Sequence, residues 1–203
     1  MTRPPADWDA AYAGDAPPPW DIGRPQPVFA ALAAEGRLSG DLLDVGCGTG
    51  EHTLLAASSG ANALGVDLAA AAIERARQKA ASRGLSARFE AGDVLSMPLP
   101  PAGFDVVIDS GCFHSFDDTD RARYVDVLRG VTRAGGAVYL ACFSDRQPGD
   151  WGPRRVTRSE LVDAFSDGWA IDSIEPATFV INPTMDVTEV HAWLLTARRS
   201  ADG

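Results

Sequence analysis

Lysine is nearly absent from this 203-residue chain: of its 18 basic side chains only Lys79 is a lysine, and the rest are arginines. Basic charge is in deficit altogether, with 28 Asp and Glu residues giving a formal net charge of −10. A surface of that sign repels phosphate backbones and anionic lipid headgroups, so neither nucleic acid nor a membrane surface is expected as a partner. Long apolar runs are missing too. None approaches the ~18–20 residues that a spanning helix requires, and Met1-Thr2-Arg3-Pro4-Pro5 leads into a polar, Pro-rich stretch rather than a signal-peptide core, which makes a cytoplasmic protein the expectation. Cysteine and histidine are scarce. Cys47, Cys112 and Cys142 are far apart, and His52, His114 and His191 lie scattered among them without metal-ligand spacing, so reduced thiols and no metal centre are expected.

What is present suffices for a packed core. Apolar residues make up 45% of the chain and charged residues 23%, the balance of an ordinary globular domain, and the length suits one domain. Residues 1–27 hold Pro4, Pro5, Pro17, Pro18, Pro19, Pro25 and Pro27 beside Trp8, Tyr12 and Trp20. Prolines lack the N–H that a ladder needs, so this stretch reads as an arm or lid with one helical turn at Ala6–Ala13, and residues 28–203 read as the domain it lies on. From there short apolar runs alternate with helical periods: strands at 42–45, 62–68, 87–91, 104–109 and 137–143, helices at 51–59, 69–83 and about 118–132. Near-continuous apolar strands separated by helices imply a parallel sheet covered on both faces. The rhythm then breaks. Thr157 and Glu160 stand in capping-box register for a short helix, and two apolar stretches, 169–181 and 189–199, follow with no crossover between them, which makes them antiparallel.

The first strand runs Leu42-Leu43-Asp44-Val45-Gly46-Cys47-Gly48-Thr49-Gly50 straight into a helix. Alternating glycines let the backbone turn sharply and approach a ligand, while the helix start presents unpaired N–H groups. The spacing is G-x-G-x-G rather than the G-x-G-x-x-G of dinucleotide sites, and Asp44 stands two residues before the first glycine. A carboxylate there repels a pyrophosphate and attracts an ammonium or sulfonium, both of which S-adenosylmethionine (SAM) carries. The run Leu42–Gly50 resembles motif I of the class I SAM-dependent methyltransferases, and the resemblance extends over roughly residues 20–199. It implies a Rossmann-like α/β fold: a seven-stranded, mostly parallel sheet of order 3-2-1-4-5-7-6 with an antiparallel C-terminal strand and helices on both faces. It also implies SAM as cofactor, S-adenosylhomocysteine as product, and cofactor contacts from Trp20, Asp44, Gly46, Cys47, Gly48, Thr49 and Gly50. Asp67 at the end of the second strand falls where such enzymes hold the ribose hydroxyls, or serves as a helix N-cap, and Leu68 would pack on the adenine. Gly92-Asp93-Val94 looks like the adenine-reading segment, with a plain turn aspartate as the alternative, and Asp109 closes the fourth strand at the same sheet edge.

Acceptor-side residues in this family come from the loop after the fourth strand. Here that loop reads Cys112-Phe113-His114-Ser115-Phe116, with His114 as candidate base, or as a hydrogen-bonding group that fixes the turn. Trp20, Phe113, Phe116 and Trp151 are the candidate walls of the acceptor pocket. The stretches Trp20–Pro27 and Asp109–His114 are similar to compact bacterial methyltransferases of the thiopurine and heterocyclic-toxin type, which act on nitrogen, oxygen or sulfur of small aromatic or heteroaromatic molecules. A monomer or homodimer with a small-molecule acceptor is expected. Two rival readings stand beside it: a non-catalytic SAM-binding module, and a nicotinamide-dependent oxidoreductase.

Overall fold

Apolar residues alternate between two faces along each central strand, and the two sets become two cores. In the computed structural model, which describes residues 5–14, 16–184 and 187–201, seven strands form one sheet. They are β1 (Asp41–Val45), β2 (Asn62–Asp67), β3 (Arg88–Ala91), β4 (Phe104–Ser110), β5 (Thr132–Phe143), β6 (Trp169–Thr184) and β7 (Val187–Arg199), in the order β3-β2-β1-β4-β5-β7-β6. The first five run parallel, β7 pairs antiparallel with both β5 and β6, and the order reverses between β1 and β4, the crevice where open α/β sheets bind ligands. Leu43, Val107 and Val138 face the core shared with α5 (Asp118–Val131), whose Tyr124 and Leu128 are buried there. Leu42, Ile108 and Tyr139 face the other way, toward Phe29 and Leu32 of α2 (Pro27–Ala34) and Ala56 of α3 (Glu51–Ser58).

Local sequence explains the helix ends. In α4 (Ala70–Arg83) the stripe Ala72, Ile73, Ala76 and Ala80 is buried as its period predicts, and Gly84 stops the helix in the left-handed conformation at φ 64°. Asp117 caps α5 by accepting from the Asp120 N–H. The capping box of α6 (Arg158–Ala164) is complete, with Thr157 Oγ1 accepting from the Glu160 N–H and Glu160 Oε2 accepting from the Thr157 N–H.

Two stretches depart from expectation. Strand β5 begins at Thr132, not Ala137, because Thr132 still pairs with Phe104 before a register shift and a left-handed Gly135. The β6–β7 hairpin runs on to Thr184 and from Val187, well past the stretches 169–181 and 189–199. The helical turn expected at Ala6–Ala13 in the proline-rich arm is present as α1 (Pro5–Ala13), which packs Tyr12 on Ala69 and Ala72 at the start of α4.

Beyond α1 the arm fastens to the extended hairpin. Asn182 donates through its backbone to the Pro19 carbonyl and through Nδ2 to the carbonyls of Pro18 and Asp21. Gln26, only 4% exposed, forks onto Val180: its Nε2 donates to the carbonyl at 2.9 Å and its Oε1 accepts from the N–H at 2.8 Å. Removing that amide strands two backbone groups. Gln26→Ala is therefore expected to lower unfolding free energy by roughly 2 kcal/mol, read as a drop in the urea midpoint at unchanged slope.

Candidate functional site

The turn after β1 is shaped by its glycines and held by one carboxylate. Gly46 and Gly48 have φ of 67° and 53°, and the Gly48 N–H donates to Asp67 Oδ2 at 2.7 Å. The other oxygen of Asp67 accepts from the Ala69 N–H at 2.8 Å, so the same side chain also starts the turn into α4. Each oxygen keeps a lone pair for a further donor. Gly50, expected at the cofactor, is instead a packing glycine. With φ 85°, a Cβ there would lie 2.7 Å from the Phe89 ring and 2.9 Å from Ala76, on the side packed against α4 and β3.

A cleft of about 1120 Å³ opens above this turn. It gathers Gly46, Cys47, Gly48, Thr49, Asp67 and Leu68 on one side, with Asp93 and Val94 beside them. Asp93 makes an Asx turn onto the Leu95 N–H, which leaves the neighbouring Val94 N–H unspent. Trp20 reaches the cleft from the arm, its Nε1 donating to the Tyr12 hydroxyl at 2.8 Å, and Trp8 stacks edge-on against it. Thr49 connects to the arm through its hydroxyl, which donates to Asp21 Oδ1 and accepts from Lys79 Nζ at 2.6 Å. Lys79 of α4 therefore lies against the turn, held also by Glu51 at 2.9 Å. His52 braces the arm as well, its Nε2 accepting from the Gln26 N–H, and burial pushes its pKa down to about 4. His191, in β7, lies outside the cleft.

Three further residues expected in the site do not reach it. Asp44 is 1% exposed and points beneath the turn, where Oδ2 accepts from Thr53 Oγ1 at 2.6 Å and Oδ1 has no partner. Burial raises its pKa to about 7. Asp109, fully buried, accepts from the Cys112 N–H (2.7 Å), the Phe113 N–H (3.0 Å) and the Tyr124 hydroxyl (2.8 Å), which makes it the anchor of the loop after β4. Phe113 is also fully buried, packed among Tyr124, Phe165 and the Arg121 guanidinium. The tight turn at Phe113–Ser115 sends Phe113 into the core and its neighbour His114 into the cleft.

His114 is fixed through one ring nitrogen. Its Nδ1 accepts from the Phe143 N–H at 2.9 Å, so the neutral ring carries its proton on Nε2, and burial followed by the Arg121 charge holds its pKa down to about 3. Nε2–H is then a donor. Around it stand Phe143 and Phe179, with ring centroids 6.0 and 6.3 Å away, and Trp151 packs edge-on to Phe143 at 6.2 Å. Phe116, 8% exposed, completes the wall beside Tyr124. Phe143, Phe179 and Val190 were not singled out in the sequence. All three lie within strands the sequence did place, but their only signal was apolar alternation, which does not say which face meets a cleft.

The cleft joins a polar half built around a glycine turn to an aromatic half built around a neutral imidazole. A methyltransferase domain family model matches residues 42–136. The 2-heptyl-1-hydroxyquinolin-4(1H)-one methyltransferase of Mycobacteroides abscessus is 35% identical over 187 residues, spanning 86% of this chain and 81% of that protein. The chain belongs to the SAM-dependent methyltransferases. This methyltransferase also matches the probable thiol methyltransferase 2 of Arabidopsis thaliana, at 26% identity over 92% of this chain and 83% of the relative. A solved structure from work on the conversion of a disulfide bond into a thioacetal group during echinomycin biosynthesis superposes with a TM-score of 0.87 at 37% identity, covering 98% of this chain and 94% of that one. The nicotinamide oxidoreductase alternative falls with these matches.

The residues of the polar half fit SAM. Asp67 has free lone pairs for hydroxyl groups, the Val94 N–H is available to a ring nitrogen, and seven carboxylate side chains line the cleft against the three guanidiniums of Arg24, Arg123 and Arg154, a balance suited to a sulfonium. Among the described residues no group of three His, Cys, Asp or Glu side chains is placed to hold a metal ion, and no helix is long and apolar enough to cross a membrane.

Two substitutions separate holding the loop from holding the cofactor. Asp109→Asn turns one acceptor into a donor facing an N–H or hydroxyl. It should cost about 1–3 kcal/mol of stability and raise the acceptor KM, while SAM affinity measured by calorimetry stays within about twofold. Asp44 titrates at about 7 when folded against an ordinary 3.8, so the folded state holds its proton more tightly and loses stability as pH rises from about 4 to 7. Asp44→Asn removes that loss. Its stability advantage should grow between pH 4.5 and pH 8 by on the order of 2–4 kcal/mol in urea titrations.

Proposed function

We propose that this methyltransferase methylates oxygen, nitrogen or sulfur of a small aromatic or heteroaromatic molecule whose reacting heteroatom is already weakly acidic, such as an N-hydroxy heterocycle, a phenol or a thiol. The observation that carries this reading is the fixed neutral imidazole of His114 among Phe143, Phe179 and Trp151. A donor Nε2–H in an apolar setting stabilises an oxyanion or thiolate, which keeps further lone pairs for attack, and orients it without taking a proton. The mycobacterial relative is named for a 1-hydroxyquinolinone, an acceptor of this chemical kind.

When bound, SAM supplies a methyl group on a sulfonium. The chain's part is to hold the two reactants. Asp67, with the backbone of Gly46–Gly48 and Val94, would hold the donor, Leu68 and Asp93 would flank its adenosine, and Cys47, Thr49 and Trp20 would close over it. The arm of residues 1–27 would act as a lid that excludes water from the reacting atoms; in its described part, bonds from Thr49 to Asp21, Asn182 to Pro18 and Gln26 to Val180 support this reading. Phe116, Trp151 and His114 face the acceptor. The acidic net charge supports a small-molecule partner over nucleic acid, and a cytoplasmic protein acting as monomer or homodimer is the accompanying proposal.

Mass spectrometry on a panel of N-hydroxyquinolones, phenols, thiols and saturated alcohols tests the acceptor class; methylation confined to the saturated alcohols would overturn it. His114→Ala should lower kcat/KM by roughly tenfold to a hundredfold with a pH profile that still follows the acceptor's own ionisation. Disappearance of an enzyme ionisation near neutral pH in that variant would instead make His114 the base.

A further inference from the structure

One side chain closes the loop between β5 and α6. Arg155 Nε donates to the carbonyl of Gln147 (3.0 Å), Nη1 to those of Trp151 (2.9 Å) and Pro153 (3.3 Å), and Nη2 to those of Gly149 (2.9 Å) and Pro148 (3.3 Å). A guanidinium has five N–H donors in a fixed fork and no acceptor, so every one of its donors is taken by a carbonyl of this loop. Its carbon also lies over the Phe143 ring, 4.9 Å from the centroid. The loop needs such a centre. Pro148 and Pro153 have no N–H to offer, Gly152 sits at φ 84°, and the carbonyls gathered on Arg155 pair with no strand. Gln147 ties the same loop to β7, its Oε1 accepting from the His191 N–H at 2.7 Å.

The consequence falls on Trp151. Its carbonyl is one of the five, its ring is edge-on to Phe143, and both rings line the cleft beside His114, whereas Arg155 itself does not. We infer that Arg155 is a positioning residue for acceptor selection: by drawing five loop carbonyls onto one guanidinium it sets Trp151 as the wall of the aromatic pocket. The inference rests on the proposed aromatic acceptor. A lysine could not substitute, since an ammonium offers three donors from one point and no flat face for Phe143.

Fluorescence and kinetics test this separately. Subtracting the Trp151→Phe spectrum isolates Trp151 emission in the protein without acceptor. In Arg155→Lys and Arg155→Met that emission should shift to the red and acrylamide quenching should rise about threefold as the wall loosens. With an accepted aromatic substrate, KM should rise about tenfold or more, while kcat and the SAM dissociation constant change by less than about threefold. If the Arg155 variants fail to fold, Trp151→Leu, with the clamp intact, should give the same KM rise. Unchanged Trp151 emission and quenching in Arg155→Lys, an unchanged acceptor KM in Trp151→Leu, or parallel weakening of acceptor and SAM would overturn the inference. If the parent enzyme methylates no member of the panel, the acceptor reading fails, and the fluorescence measurement alone decides whether Arg155 holds the wall.

Discussion

A carboxylate at the end of a parallel strand, turned back onto the N–H groups of the loop that follows, is the interaction on which this cleft depends. Asp67 does it after β2, reaching both Ala69 and the glycine turn; Asp93 does it after β3 through Leu95; Asp109 does it after β4 through Cys112 and Phe113. Loops at a sheet's carboxyl edge have no ladder partners, so their N–H groups need acceptors from elsewhere. Short acidic side chains on the last strand residues, or just beyond them, are close enough to supply them. Asp67 joins two such loops and so fixes the spacing between β1 and β2 at the point where a ligand would enter.

The three aspartates are chemically equivalent in the sequence and differ in depth. Asp93 is exposed, Asp67 partly buried, and Asp109 sealed beneath Tyr124, so the first two line the cleft and the third does not. Asp44 shows the same limit from the other direction. It stands in the motif where a charge beside the donor was expected, yet its side chain lies on the Thr53 side of β1, below the turn. Strand alternation decides that side, and no local pattern distinguishes a carboxylate facing a ligand from one facing a helix.

The arm and the hairpin depend on each other. Proline carbonyls at 18 and 19 accept from Asn182, and Gln26 satisfies a strand edge at Val180 that has no ladder partner of its own. Neither segment would hold its path across the cleft alone. The aromatic half of the cleft has the same character: His114, Phe143, Trp151 and Phe179 come from four separate stretches, and their rings meet where β5 and the β6–β7 hairpin run past the end of β4.

The fold and its glycine turn were legible in the residues themselves, because strand period, helix period, caps and a run such as Leu42–Gly50 act over neighbours a few positions apart. The strand order, the stripe on α4 and the capping box at Thr157 followed from that reading or from the family it resembles. Depth and company were decided by the tertiary structure: which aspartates are sealed, that Phe113 turns inward and His114 outward, that Lys79 meets Thr49, and that Arg155 gathers five carbonyls. Burial and hydrogen-bond partnership are properties of groups brought together from distant positions, and they exist only once the chain has closed on itself.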